Sequence, residues 1–138
     1  MRALLIAFVS AIVYSTSANA ASGPPVIHEP FTPPPCPAHP VSTLDLEGCA
    51  GRAVLKSDRS INVRARKVFR LLRPSAARTT FVQSERSWLA YRRASCSAQA
   101  SVYTGGSAEP VAFLQCEVNR NKRHLTDLAE MERWLRQH

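Results

Sequence analysis

Residues 96–116 read CSAQASVYTGGSAEPVAFLQC, with Gly106 ten positions from the cysteine at either end. A Gly-Gly pair interrupts a helical pattern, and apolar residues recur at steps of three and four on both sides of it. The stretch therefore predicts two helices that fold back on each other at Gly105-Gly106, with Cys96 and Cys116 at equal height on facing sides. Antiparallel helices pack about 8–10 Å apart between axes. Inward cysteines across that gap can reach the Cα separation of about 5.5–6 Å that a disulfide prefers. Four cysteines allow three pairings, and count alone does not choose among them; the hairpin favours Cys96–Cys116, which leaves Cys36–Cys49.

Working outward, Ala77, Phe81, Ser84, Trp88, Tyr91, Ser95, Ala98 and Val102 lie on one face of the helix before the turn, flanked by Val82, Leu89, Cys96 and Tyr103 at seven-residue spacing. Two adjacent apolar rows predict a broad buried stripe. After the turn a helix resumes near Glu109 or Pro110. Its face is Val111, Leu114, Val118, Asn121, Leu125, Leu128, Glu132 and Leu135, with Asn121 and Glu132 predicting partial solvation of its C-terminal half. Upstream, Ser42 or Thr43 is placed to cap a long first helix, with Asp45 and Glu47 in its first turn. That helix buries Leu46, Ala50, Ala53, Ser57, Ile61, Ala65, Val68 and Leu72 and turns Arg52, Lys56, Arg59, Arg66, Lys67 and Arg70 outward. Gly51 is a weak point in it, costing about 1 kcal/mol relative to alanine, and Pro74 ends it or starts the next helix. No alternating stretch predicts a strand pair. The expected fold is all-α: a small, disulfide-stapled, antiparallel three-helix domain over residues 43–138, with the first helix covering the hairpin of the other two.

Eight of the ten prolines fall within residues 21–42. Each removes a backbone donor and disfavours helix at the residue before it, so this segment reads as an extended arm and a passive tether. Residues 1–20 read as a secretory signal peptide, with Arg2 ahead of an apolar run from Leu4 to Tyr14 and Ala18-Asn19-Ala20 as a cleavage site. Export places Cys36, Cys49, Cys96 and Cys116 in an oxidising compartment and favours two disulfides over a zinc site. The chain is basic, with 18 Lys and Arg against 10 acids in 138 residues, a net charge of +8. Its size excludes a Rossmann or barrel enzyme of ordinary length.

The landmarks now in place resemble the lysozyme inhibitor LprI-like N-terminal domain family. Asp58-Arg59-Ser60-Ile61-Asn62 is similar to the family's D-x-x-L-N. The segment from Ser84 through Trp88, Leu89, Tyr91 and Arg92 to Cys96 is similar to its A-Q-R-x-W-L-x-Y-R-x-x-x-C, and Tyr103-Thr104-Gly105-Gly106-Ser107 matches Y-x-G-G-S. Ala65 stands where the family usually has tyrosine, Arg93 where an acid is common, and Asn121 and His124 lie where threonine and arginine are usual. The resemblance implies an all-helical, disulfide-bonded envelope domain and, through the family's namesake, lysozyme inhibition.

The chemistry-bearing residues point to binding and not to catalysis. No Ser/His/Asp arrangement joins a nucleophile to a base, Gly105-Gly106-Ser107 lacks a phosphate-loop framework, and His28, His39, His124 and His138 have no metal-ligand spacing. No cofactor and no metal are expected. The candidate partner-binding residues are Tyr103, Gly105, Gly106, Ser107 and Glu109 at the turn, with Arg92 flanking and Glu109 as a projecting acid. Asp58, Asn62, Trp88 and Tyr91 read as structural, Asp58 and Asn62 being one helical turn apart and able to face one partner. Expected partners are lysozyme or another envelope protein; the alternative, favoured by the charge, is a basic envelope-association module on an anionic cell-wall or lipid surface. Nucleic acid is not expected of an exported protein.

Overall fold

The computed structural model describes residues 22–138, and the signal peptide expected at residues 1–20 lies outside the described residues. Helix α1 spans Thr43–Leu71, α2 Ser75–Ala100 and α3 Ala108–Gln137, with a 3-10 turn at Ser101–Tyr103 between the last two. No strand occurs among the described residues. Ser42 starts α1 through a capping box: its hydroxyl accepts from the Asp45 N–H at 3.1 Å, and the Asp45 carboxylate accepts from the Ser42 N–H at 3.1 Å. A second bond from the Val41 N–H joins these in holding the Asp45 carboxyl below its usual range. Leu72 leaves helical geometry at the end of α1, and Pro74 stands as the N-cap of α2. Arg78 reaches back to the Leu72 carbonyl, its Nε donating at 2.6 Å, and so satisfies a carbonyl freed at the α1 terminus.

Helix α3 is the central element; α1 and α2 both pack on it and scarcely approach each other. Cys96 pairs with Cys116 and Arg120 donates to Ser95, so α2 and α3 run antiparallel as the hairpin predicts. Asn121 meets Ser57 and Glu132 meets Arg64, so α1 and α3 run parallel. Both expected disulfides form, Cys36–Cys49 and Cys96–Cys116, with Cα separations of 4.6 and 5.4 Å.

The Pro-rich arm is not a passive tether. It descends antiparallel to α1 and borders both α1 and α2, where they leave each other room. The Asn62 side-chain amide accepts from the Ile27 N–H at 2.8 Å and donates to the Ile27 carbonyl at 2.9 Å, as a neighbouring strand would. Ile27 and Phe31 pack against the core. Pro33, Pro34 and Pro35 lie on a shelf made by two glycines of α1: a Cβ on Gly48 would come within 2.2 Å of the Pro35 carbonyl oxygen, and one on Gly51 within 2.8 Å of the Pro33 Cβ. Gly51 therefore is a docking position and not a flaw in the helix.

Two apolar clusters hold the bundle. Ile61, Ala65, Val68, Leu72, Phe81 and Leu128 form one at the α1–α2 turn; Ala50, Val54, Leu114 and Val118 form the other at the opposite end. The face of α2 departs from the apolar periodicity. Its buried residues are Phe81, Val82, Glu85, Arg92, Cys96 and Ala100, whereas Tyr91, Val102 and Tyr103 are exposed. Leu46 on α1 is exposed too, and Asn121 and Glu132, expected to open α3 to solvent, are buried. Charged and amide groups, paired across helices, take core positions that a count of apolar letters leaves empty.

Alanine is the better helix former by about 1 kcal/mol, so an undocked arm would make Gly48→Ala stabilising. With the arm seated, Gly48→Ala must push backbone atoms aside and is expected to lower stability by about 1–3 kcal/mol. Urea unfolding with the disulfides intact reads the sign directly.

Candidate functional site

The residues singled out at the hairpin do come together. Residues 101–107 are all exposed, and Val102 and Tyr103 show 80% and 50% of their surface to solvent. The loop is nonetheless bonded throughout. The Thr104 N–H donates to the Ser101 carbonyl at 3.2 Å, the Gly106 N–H to Tyr103 at 2.9 Å, and the Glu109 N–H to Gly106 at 3.1 Å. Gly105 has φ 79°, a left-handed backbone that side chains with a Cβ disfavour. Glu109 does not project: its carboxylate turns back to accept from the Gly105 N–H at 3.0 Å. The Ser107 side chain makes no cap hydrogen bond. Cys96–Cys116 clamps the two helices below, so the turn presents a phenol, an isopropyl group and hydroxyls on a stiff base.

Arg92 is not beside that surface. Its side chain is 5% exposed and lies in the layer between the two apolar clusters. Nη1 donates to Asp58 Oδ1 at 2.7 Å and to Asn121 Oδ1 at 2.9 Å; Nη2 donates to Glu29 Oε1; Nε lies 3.3 Å from Glu117 Oε1. The guanidinium also sits 5.5 Å from the Trp88 ring centroid. Arm, α1 and α3 thus each contribute a carboxylate to one cation on α2. Asn121, with none of its surface exposed, ties the layer together by donating to Asp58 Oδ1 and Ser57 Oγ, both at 2.8 Å. Three acids face a single guanidinium, and Asp58 Oδ2, Glu117 Oε2 and Arg92 Nε itself have no hydrogen-bond partner. Burial, aided by the neighbouring Glu29 and Asp58 carboxylates, raises Glu117 to about 7 against the pull of Arg92. Burial also raises Asp58, again opposed by Arg92.

Asp58 and Asn62, expected to face one partner, divide the work: Asp58 holds Arg92, and Asn62 holds the arm. Trp88 is half-buried and stacks on His124 with ring centroids 3.7 Å apart, while His124 Nε2 and Glu85 Oε2 lie 3.0 Å apart in a second buried polar contact. Tyr91 is half-exposed under the Arg120 guanidinium. The sequence reading missed Glu29, Glu85 and Glu117 altogether. The recoverable signal was positional: residues 114, 117, 118, 121, 124 and 128 keep helical spacing once polar letters are allowed on the stripe.

Between the arm and the α2–α3 hairpin lies a groove of about 910 Å³ that runs up to the turn. Glu29, Glu47, Glu109 and Glu117 line it, against Arg92 and Arg93. Four of the chain's ten acids therefore line the groove that runs up to its exposed turn. The arrangement offers recognition chemistry: an exposed aromatic and aliphatic pair next to a carboxylate-lined cleft.

Removing the shared cation while leaving the acids buried should be severe: Arg92→Met is expected to cost about 3–5 kcal/mol. Arg92→Lys should recover little, because one ammonium cannot replace the fork that spans several acceptors. Denaturant midpoints measure both. The Glu117 carboxyl has a folded value raised from 4.5 to about 7. Its contribution to stability is full below pH 4.5 and is lost as pH rises through 7. Glu117→Gln should remove this decline, being stabilising at pH 7.5 and nearly neutral at pH 4.5, which unfolding curves at the two pH values will show.

The family model described as lysozyme inhibitor LprI matches residues 36–128, a span that contains all four cysteines, Asp58, Arg92, Asn121 and the turn. No curated protein and no solved structure matches the chain.

Proposed function

Because the chain belongs to the lysozyme inhibitor LprI family, we propose that it is an exported, non-enzymatic protein that binds lysozyme and blocks it, using the Tyr103–Ser107 turn and the acidic groove beside it. The observation that carries this reading is the segregation of charge. A protein of net charge +8 is repelled overall by a basic enzyme. The groove next to the turn, however, is lined by four carboxylates, Glu29, Glu47, Glu109 and Glu117, against two guanidinium groups, Arg92 and Arg93, and Arg92 is itself engaged by Glu29 and Glu117, so the local field there suits a cationic partner although the total charge does not. The exposed Val102 and Tyr103 supply apolar contact area, and a turn already fixed by hydrogen bonds and a disulfide loses little entropy on binding. Aromatic residues in such positions commonly dominate an interface. The two disulfides fit export, and no helix among the described residues is long and apolar enough to cross a membrane.

The test is lysozyme turnover on peptidoglycan with the disulfide-bonded protein added at and above stoichiometry. Inhibition is expected and should weaken with salt. Tyr103→Ala combined with Val102→Ser should raise the inhibition constant about tenfold or more, as loss of a dominant contact does, with the melting temperature unchanged. Absence of inhibition by the unmodified protein overturns the proposal; inhibition insensitive to the double substitution moves the contact away from the turn.

A further inference from the structure

The basic excess has a place of its own. A second groove, of about 700 Å³, runs between α1 and α3. Lys56, Arg59 and Lys67 line it from α1 and Arg133 from α3. All four are exposed, and none takes part in a salt bridge among the described residues, whose pairs engage Arg64, Arg92, His124 and Arg136 instead. Arg64 also lines the groove, but Glu132 holds it at 2.8 Å. Glu130 is the one acid in the lining. The floor is apolar, with Val63 47% exposed and Leu125 and Ala129 half-buried.

We infer that this groove binds a linear polyanion, a chain of phosphoanhydride units, lying along the two helices. Four cations spaced along one groove raise the positive potential within it, and a ligand that neutralises several of them at once is favoured over one that meets a single charge. Their backbone positions are fixed on rigid helices, so the charge is already arranged in a line. From Lys56 to Lys67 is about 16 Å along the helix axis, room for two or more successive charged units. Shape selects a chain over a bilayer: two parallel helices wall a concave channel, whereas a lipid surface requires a convex or flat face. The inference is independent of lysozyme inhibition, since it concerns the α1–α3 side and not the turn.

The experiment measures binding of medium-chain inorganic polyphosphate to the folded, disulfide-bonded protein at several salt concentrations. Affinity should fall with salt, with a log–log slope of about −2 to −3, as expected for three or four neutralised charges on a single-stranded polyanion. The triple variant Lys56→Gln, Arg59→Gln, Lys67→Gln should lose about tenfold or more in affinity and most of that slope. A control of equal net charge, Arg73→Gln, Arg86→Gln, Arg123→Gln, removes exposed cations outside the groove lining and should change affinity by no more than about twofold. Melting temperatures of both variants are compared with the parent, and an unfolded groove variant is replaced by the three single substitutions. Equal losses in the two triple variants overturn the site, reducing the effect to net charge. Phosphatidylglycerol vesicles that depend on the groove cations as strongly as polyphosphate does overturn the assignment of a chain in favour of a membrane surface.

Discussion

A guanidinium withdrawn from water loses several kcal/mol of solvation unless anions and hydrogen-bond acceptors replace it. In this bundle the replacement for Arg92 comes from three separate places: Glu29 on the arm, Asp58 on α1, and Glu117 with Asn121 on α3. No two of these belong to one local segment, so the charge is compensated only when all four parts of the fold are assembled. Apolar clusters at either end supply burial without directional preference. The polar layer between them is directional, and it sets the rotation of α2 on α3 and the height at which the arm crosses. The excess of acid over base in that layer is what lifts Glu117 towards neutrality.

The arm follows from the same constraint. Helices α1 and α2 stand apart because Arg92 and its acids need room between them, and a Pro-rich strand helps fill that room. Its backbone has few donors to satisfy, since proline carries none, and Asn62 satisfies those of Ile27. Two glycines on α1 let the prolines approach to backbone contact, and Cys36–Cys49 locks the end of the approach. The arm is thus a fourth element of the domain although it has no regular hydrogen bonding of its own.

What could be read from the letters divides along physical lines. The hairpin, the helix ends and both disulfides follow from local rules: a Gly-Gly break at Gly105-Gly106, a serine cap at Ser42, a proline at Pro74, and equal spacing of two cysteines about a turn. The interior does not. Glu85, Arg92, Glu117 and Asn121 look like surface residues until their partners are known, and those partners lie 29 or more positions away in chain for every Arg92 hydrogen bond. For the same reason Arg92 was assignable to a surface and Tyr91 to a core when the structure places them the other way round. The arm was misread because proline content reports the conformation of a segment and says nothing of what it docks against; the pair Gly48 and Gly51, three apart on α1, was the trace of that docking.

A scaffold built this way keeps its two charged faces apart. The turn lies at the end of the bundle where α3 begins, and the α1–α3 groove starts with Lys56, which the Ser57–Asn121 contact places level with Asn121, about 20 Å further along the α3 axis. That distance is more than twice the screening length of roughly 8 Å at physiological salt, so carboxylates around the turn and cations in the groove act largely on their own surroundings. Within the protein the opposite holds, because the Arg92 layer is dry and its charges feel each other strongly. A basic chain can therefore offer an acidic cleft to one partner and a cationic channel to another. Each face is set by which helix surfaces the buried cation turns inward and which it leaves to water.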